Sequence, residues 1–345
     1  MSWPQIAATA VAAYAVTLPL VFGARWLALR AGIVDHPNAR SSHHQPVPRG
    51  GGVAIVVAAL GLLALIRWQF PGLMQGYSSG VAAGAILVAA ISGADDCKGL
   101  PASLRLLIHV IAAMVAWRST GLEIDVWAGD GSRLAIGIFA TVWIAGMINA
   151  YNFMDGIDGI AGSVGVVAGL AWAIIGLMTH QSDVAAAGAT ASGACAAFLM
   201  LNWAPASVFM GDVGSAFLGY WFAVLAILAA RHDRFALVQG ALIMWPFIFD
   251  TVTTMLRRIV RGENPLHAHR THLYQRLIAT GLGHASVASL YALLAVTGAC
   301  AAILAAWRPQ LLAAWLLIPT AGAVANWVLV IKRERSIAVA GRSRT

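Results

Sequence analysis

Long apolar runs recur from one end of this chain to the other, broken only by short polar stretches, and they do not alternate polar and apolar faces as a water-exposed element would. Such runs must satisfy their own backbone polar groups where no water reaches, so each is predicted to be an α-helix. Spans are read near 5–29, 51–69, 77–92, 103–118, 134–149, 157–178, 184–202, 213–230, 236–255, 285–307 and 311–331. That makes about eleven helices, each near the roughly 20 residues that cross a bilayer. The third, fourth and fifth are short, which suggests ends set in a polar cavity. The expected fold is an all-α polytopic integral membrane protein, with residues 1–345 forming a single integral membrane domain.

Composition agrees with the pattern, since 60% of residues are apolar and 10% charged. Orientation follows from the basic residues. With eleven spans, fifteen of the 22 Lys and Arg residues fall on the face that carries the odd-numbered loops and the C-terminus. Six fall on the other face, and Arg25 lies inside the first span. The positive-inside rule then places the N-terminus outside and the C-terminus in the cytoplasm. The net charge of +8 sits beside membrane spans, where it sets topology and meets anionic headgroups, so no nucleic acid partner is expected. Cys97, Cys195 and Cys300 have no metal-ligand spacing and form no disulfide framework. The first span is too long for a signal-peptide core and lacks preceding basic residues, so it is expected to stay as a helix.

The chemistry lies in five polar stretches that this topology gathers on the cytoplasmic side. Asp95 and Asp96 close the third span in ISGADDCKGL and point about 100° apart, so they can serve two partners. Neighbouring acids beside Lys98 and Arg105 are costly at a membrane span end unless they have a function, such as taking a proton or binding a hard cation. NAYNFMDGIDGIAG spaces Asn149, Asn152, Asp155 and Asp158 by threes, near one face if the segment is helical. Helix caps and an Asx turn would account for one or two of these groups, not four. Asp212, in FMGDVGS, reads equally well as an N-cap carboxylate or as an acid exposed to a metal, with Gly211 and Gly214 freeing backbone N–H groups for an anion. Asp250 lies within the ninth span and reads chiefly as a buried partner of Arg257 or Arg258. His267, His269, Arg270, His272 and Arg276 follow in the next loop, as donors suited to phosphate oxygens and sugar hydroxyls; a zinc site lacks a clear fourth ligand. Arg49 precedes Gly50, Gly51 and Gly52, a glycine run that could cradle an anion.

In order, DHPNARSSHHQPVPRGGG, DDCKGLPASLRLLIH, NAYNFMDGIDGIAG, FMGDVGSAFLG and FDTVTTMLRR with HRTHLYQRL resemble the polyprenyl-phosphate N-acetylhexosamine-1-phosphate transferase family. The resemblance implies transfer of a sugar 1-phosphate from a UDP-sugar to undecaprenyl phosphate, release of UMP and a need for Mg²⁺, with Mn²⁺ as the alternative ion. It implies that Asp95 orients or deprotonates the acceptor phosphate and that Asp96 assists near the metal and phosphates. Asn152 and Asp155 would line the nucleotide and metal site, Asp158 would follow them in the catalytic set, and Asp212 would be the principal metal ligand. Asn149, His267, His269 and His272 are expected to contact substrate. Arg49, Lys98, Arg105 and Arg270 are phosphate-contact candidates on charge and location alone. Partners expected are undecaprenyl phosphate, a UDP-sugar and the bilayer of the bacterial inner membrane, with a homodimer left open.

One departure bears on the sugar. Members using UDP-GlcNAc resemble HxHH in the last cytoplasmic loop, whereas this chain has His272-Leu273-Tyr274-Gln275. That change resembles the branch that starts O-antigen chains on sugars such as UDP-N-acetylfucosamine or UDP-N-acetylquinovosamine, with a UDP-GlcNAc transferase as the alternative. Two other classes compete. An ion-coupled transporter should carry its charges near the bilayer midplane, and a non-catalytic scaffold could have lost the acids.

Overall fold

The computed structural model describes residues 1–35, 46–121, 132–264 and 269–342. Each of the eleven apolar runs folds as helix. The first four are α1 (Trp3–Ala31), α2 (Val53–Gln69), α3 (Ser79–Lys98) and α4 (Ala102–Ser119). They are followed by α5 (Ser132–Met154), α6 (Ile160–Met178), α7 (Ser182–Asn202) and α8 (Asp212–Ala229). The ninth run is broken into α9 (Ala236–Ile243) and α10 (Trp245–Val260), which meet at an angle of 76°. Pro246 in the first turn of α10 has no amide hydrogen to continue α9, which accounts for a break at that point. After them come α11 (Leu273–Ala279), α12 (His284–Trp307), α13 (Leu312–Trp315) and α14 (Leu317–Arg342). Among the described residues nine helices are long and apolar enough to cross a membrane, or ten if the bent pair is one span, while α2 with 17 residues is shorter.

The chain is an all-α polytopic membrane protein, and its packing shows why the apolar pattern lacks a polar face. Every residue of α8 from Val213 to Ala229 is buried, with α3, α5 and α9 packed around it. Helices α1, α3, α4 and α14 instead turn large apolar side chains outward, among them Trp26, Leu107 and Val324, where hydrocarbon can take the place of protein. Apolar surface gains nothing by leaving lipid for protein, so close backbone approach has to hold the helices together. The α6–α7 contact is built that way: a Cβ on Gly169 would lie 2.5 Å from the Ser192 amide nitrogen, and one on Gly188 would lie 2.5 Å from that of Ala173.

Two expectations about the motif-bearing ends change. The third and fifth helices are not short, because α3 and α5 run on through the polar residues and carry Asp95, Asp96, Asn149 and Asn152 in or near their last turns. Ser78 caps the start of α3, and Gly99, at φ 64°, closes its end in the left-handed conformation that glycine adopts without strain. The glycine run after Arg49 is not an anion cradle. Gly51 and Gly52 donate their amides to the carbonyls of Phe209 and Met210, 2.9 Å each, and a Cβ on Gly52 would collide with the backbone of Gly214. Those glycines serve to seat the start of α2 against the start of α8. The two-residue strands Val34–Asp35 and Val47–Pro48 pair antiparallel just before Arg49 and set where it leaves the loop.

Candidate active site

Arg49, the last turn of α3, the first turn of α4, the end of α5 and the start of α8 converge on one polar cluster. Arg49 bridges two acids, with Nε 3.0 Å from Asp96 Oδ1 and Nη2 2.7 Å from Asp212 Oδ1. Arg105 bridges two more carboxylate oxygens, with Nη1 2.6 Å from Asp95 Oδ2 and 3.2 Å from Asp212 Oδ2. Burial by itself would lower the Arg49 pKa, but Asp96, Asp212, Asp35 and Asp155 outweigh it, so the guanidinium remains charged.

The acids differ in what holds them. Asp95 Oδ1 accepts the Leu100 amide at 2.5 Å, so the turn at Gly99 folds back to support it. Asp96 accepts the backbone amides of Asp212 at 3.0 Å and Val213 at 3.1 Å, and thereby caps α8 from outside that helix. The amides expected to be freed around Asp212 are therefore occupied by Asp96 and by Gly211, whose carbonyl accepts the Gly214 amide. Asn152 donates to Asp212 Oδ2 at 3.4 Å and accepts the Ser215 hydroxyl at 2.7 Å. Asp155 follows the last residue of α5 and receives no side-chain hydrogen bond among the described residues. Burial first, then the negative charge of Asp212, pushes its carboxyl up to about 7, against the pull of Arg49.

The run of polar residues spaced by threes does not share one face. Helix α5 ends at Met154, so Asp155 and Asp158 leave the helical path, while Asn149 donates back to Ala145 O in its own helix at 2.7 Å. Asp158 turns instead toward α12, with Oδ2 3.3 Å from His284 Nδ1 and 3.1 Å from the Ala206 amide. Ser215, bonded to Asn152 in the cluster, and His284, the partner of Asp158 outside it, are the residues that the sequence reading missed. An ionisable residue at the start of an apolar span was the signal for His284.

In the last loop, Asp250 is a buried structural partner, but not of Arg257 or Arg258. Arg257 donates to Thr271 O and Arg258 to Asn264 O, whereas Asp250 Oδ1 lies 3.1 Å from His272 Nδ1. Tyr274 is wholly buried; its hydroxyl donates to Phe153 O at 3.1 Å and packs on Gly156. Gln275 donates to the Tyr274 hydroxyl and accepts the His272 amide. Burial, then the adjacent His272, pushes the His269 imidazole down to about 4, so it is neutral near pH 7. Arg270 and Lys98 are exposed, and Lys98 makes no ion pair among the described residues. His267 lies outside the described residues.

Among the described residues no group of three or more His, Cys, Asp or Glu side chains is arranged to hold a metal ion. Asp155 and Asp212 nevertheless fit Mg²⁺, which is commonly bound through one or two carboxylates and completed by substrate phosphates and water. Four carboxylates, those of Asp95, Asp96, Asp155 and Asp212, face two guanidiniums, and the unpaired Asp155 carboxyl beside Asp212 is where added positive charge relieves repulsion.

Residues 78–230 match the profile of Glycosyl transferase family 4. A decaprenyl-phosphate N-acetylglucosaminephosphotransferase of Mycolicibacterium smegmatis is 32% identical over 296 residues, covering 75% of this chain and 72% of that protein. An undecaprenyl-phosphate alpha-N-acetylglucosaminyl 1-phosphate transferase of Escherichia coli K12 is 25% identical over 291 residues, 79% and 76% of the two chains. A phospho-N-acetylmuramoyl-pentapeptide-transferase of Latilactobacillus sakei is 34% identical over 160 residues, 44% of this chain and 48% of its own. The chain belongs to glycosyl transferase family 4, among the polyprenyl-phosphate N-acetylhexosamine-1-phosphate transferases.

Proposed function

We propose that this protein transfers a HexNAc-type sugar 1-phosphate from a UDP-sugar to undecaprenyl phosphate at the cytoplasmic face of the bacterial inner membrane, and so initiates O-antigen or related surface polysaccharide synthesis. The observation that carries the reading is the double bridge of Arg49 and Arg105 over Asp95, Asp96 and Asp212, set where five chain segments meet. In the reaction a phosphate oxygen of the lipid bonds to the sugar-bearing phosphorus, the bond from that phosphorus to the bridging oxygen breaks, and UMP leaves with the bridging oxygen. Asp155 and Asp212 would hold Mg²⁺, which when bound offsets charge on the diphosphate.

The remaining roles belong to the chain's own side chains. Arg49 and Arg105 are held on carboxylates by charge-assisted bonds that phosphate oxygens can replace without leaving a guanidinium unpaired. Asp95, fixed by Arg105 and the Leu100 amide, orients the acceptor phosphate or takes its proton. Asp96 spends its oxygens on α8 and Arg49, so its contribution is to aim Asp212. Asn152 keeps Asp212 in register through Ser215.

UMP release from membranes supplied with undecaprenyl phosphate, Mg²⁺ and a panel of UDP-HexNAc donors tests the reading. A transporter would release none. For the sugar, the bonded set Gln275 to Tyr274 to Phe153 O uses up polar atoms where two imidazoles would offer them, which favours a 6-deoxy-HexNAc donor. UDP-GlcNAc is the alternative, carried by the names of the relatives.

A further inference from the structure

Asp250 has no place in the transfer chemistry, yet it is the most heavily bonded carboxylate in the described chain. It is fully buried in α10 and accepts the amides of Leu273 at 2.8 Å and Tyr274 at 3.1 Å, the Thr254 hydroxyl at 3.2 Å and the Tyr291 hydroxyl at 2.5 Å. His272 Nδ1 adds a fifth contact at 3.1 Å. A buried carboxylate is costly unless such donors surround it, and here they come from α10, α11 and α12 together. With two backbone amides already donating to it, Asp250 serves this cluster as an acceptor, and the His272 contact is satisfied when Nδ1 carries the proton and donates it.

That assignment decides which atom His272 offers. With Nδ1 committed to Asp250, Nε2 is the ring nitrogen left to meet a ligand. The ring is clamped on its faces as well, its centroid 6.1 Å from Phe153, 4.9 Å from His269 and 5.9 Å from Tyr274. Phe153 is next to the last residue of α5, two positions before Asp155, and Tyr274 bonds to its carbonyl. We propose that Asp250 is a positioning residue that fixes the tautomer of His272 and holds the 272–274 turn against the corner carrying Asp155, so that His272 Nε2 is presented to the donor substrate. Nε2 then accepts from a sugar hydroxyl of the donor, while the proton stays on Nδ1, hydrogen-bonded to Asp250. The inference rests on the transferase reading for the identity of the substrate but not for the state of the ring.

The test uses the full-length protein in detergent with ¹⁵N-labelled histidine, His272→Asn identifying the signal by its absence. The expected result is a protonated Nδ1 in the wild-type protein, unchanged in Tyr291→Phe, which keeps four of the five donors. In Asp250→Asn the carboxamide can donate to Nδ1, so the proton should move to Nε2. Turnover should fall at least tenfold in Asp250→Asn, and the double variant Asp250→Asn with His272→Asn should be no slower than the slower single one, because both lose the same presented atom. A wild-type His272 protonated on Nε2 alone would overturn the inference even if Asp250→Asn failed to fold. So would multiplicative losses in the double variant, which mark Asp250 as a fold residue acting apart from His272. If the wild-type protein releases no UMP while Nδ1 is protonated, the transferase reading fails and the tautomer assignment stands.

Discussion

Replacing Asp155 with Asn should make the metal-free protein more stable and at the same time inactive. The Asp155 carboxyl is pushed from 3.8 up to about 7 by burial and by Asp212. Between those values the unfolded chain ionises this acid and the folded chain keeps it protonated. The folded state therefore binds more protons than the unfolded one, stability falls as pH rises across the window, and the loss is complete above about 7. Three pKa units at roughly 1.4 kcal/mol each set a ceiling of about 4 kcal/mol on that loss. Asparagine has no charge to form and escapes it. The variant should gain up to about 4 kcal/mol over wild type at pH 8 but no more than about 1–2 kcal/mol at pH 5, where the unfolded-state carboxyl is about one unit past its own pKa. Unfolding by heat or denaturant in detergent with a chelator present reads the gain. Adding Mg²⁺ at pH 8 should then stabilise wild type more than the variant, since only wild type keeps both carboxylates. An equal gain at both pH values would mean that Asn improves packing and not charge, and no gain at pH 8 would refute the raising of the Asp155 carboxyl by burial and Asp212.

Three further outcomes follow from the same cluster. Asp212→Ala should abolish UMP release at saturating Mg²⁺ while the protein still inserts, because it removes a metal carboxylate and the partner of both arginines; activity within a few-fold of wild type would take Asp212 out of the metal site. Asp95→Asn should stop turnover yet leave UDP-sugar affinity largely intact in equilibrium binding, and loss of binding along with turnover would move Asp95 to the nucleotide side. In a competition assay the unmodified protein should favour UDP-N-acetylfucosamine or UDP-N-acetylquinovosamine over UDP-GlcNAc by about tenfold to a few hundredfold, with Tyr274→His plus Gln275→His shifting the ratio back. Since Tyr274 is buried against Phe153 and Gly156, that shift would pass through the turn bearing Asp155, and a clear preference of the unmodified protein for UDP-GlcNAc would end the 6-deoxy reading.

The helices and most of the acids at the site were legible in the chain because both leave local marks. A run such as 213–230 has no polar face to expose, so its helix follows from composition, although its burial on every side in α8 is a matter of packing that the equally apolar α1 does not share, and Asp95 with Asp96 is conspicuous because charge is costly at the end of a span. Partnerships left no such mark, since they join residues far apart in sequence. Arg49 and Asp212 are 163 positions apart, and whether the glycines after Arg49 cradle an anion or pack on Gly214 depends on which helix end comes to lie beside them. The same holds for Asp250, whose nearest basic residues in sequence are Arg257 and Arg258 but whose partners come from α11 and α12. It holds also for Asp158, which the spacing by threes groups with Asn149 and which the end of α5 at Met154 releases toward His284. The sequence by itself determined where apolar segments must be helical and where charge could not stand alone, because solvation acts residue by residue. Only the tertiary structure decided which charges meet, because hydrogen bonds and ion pairs act over a few ångströms between groups that only the packed helices bring together.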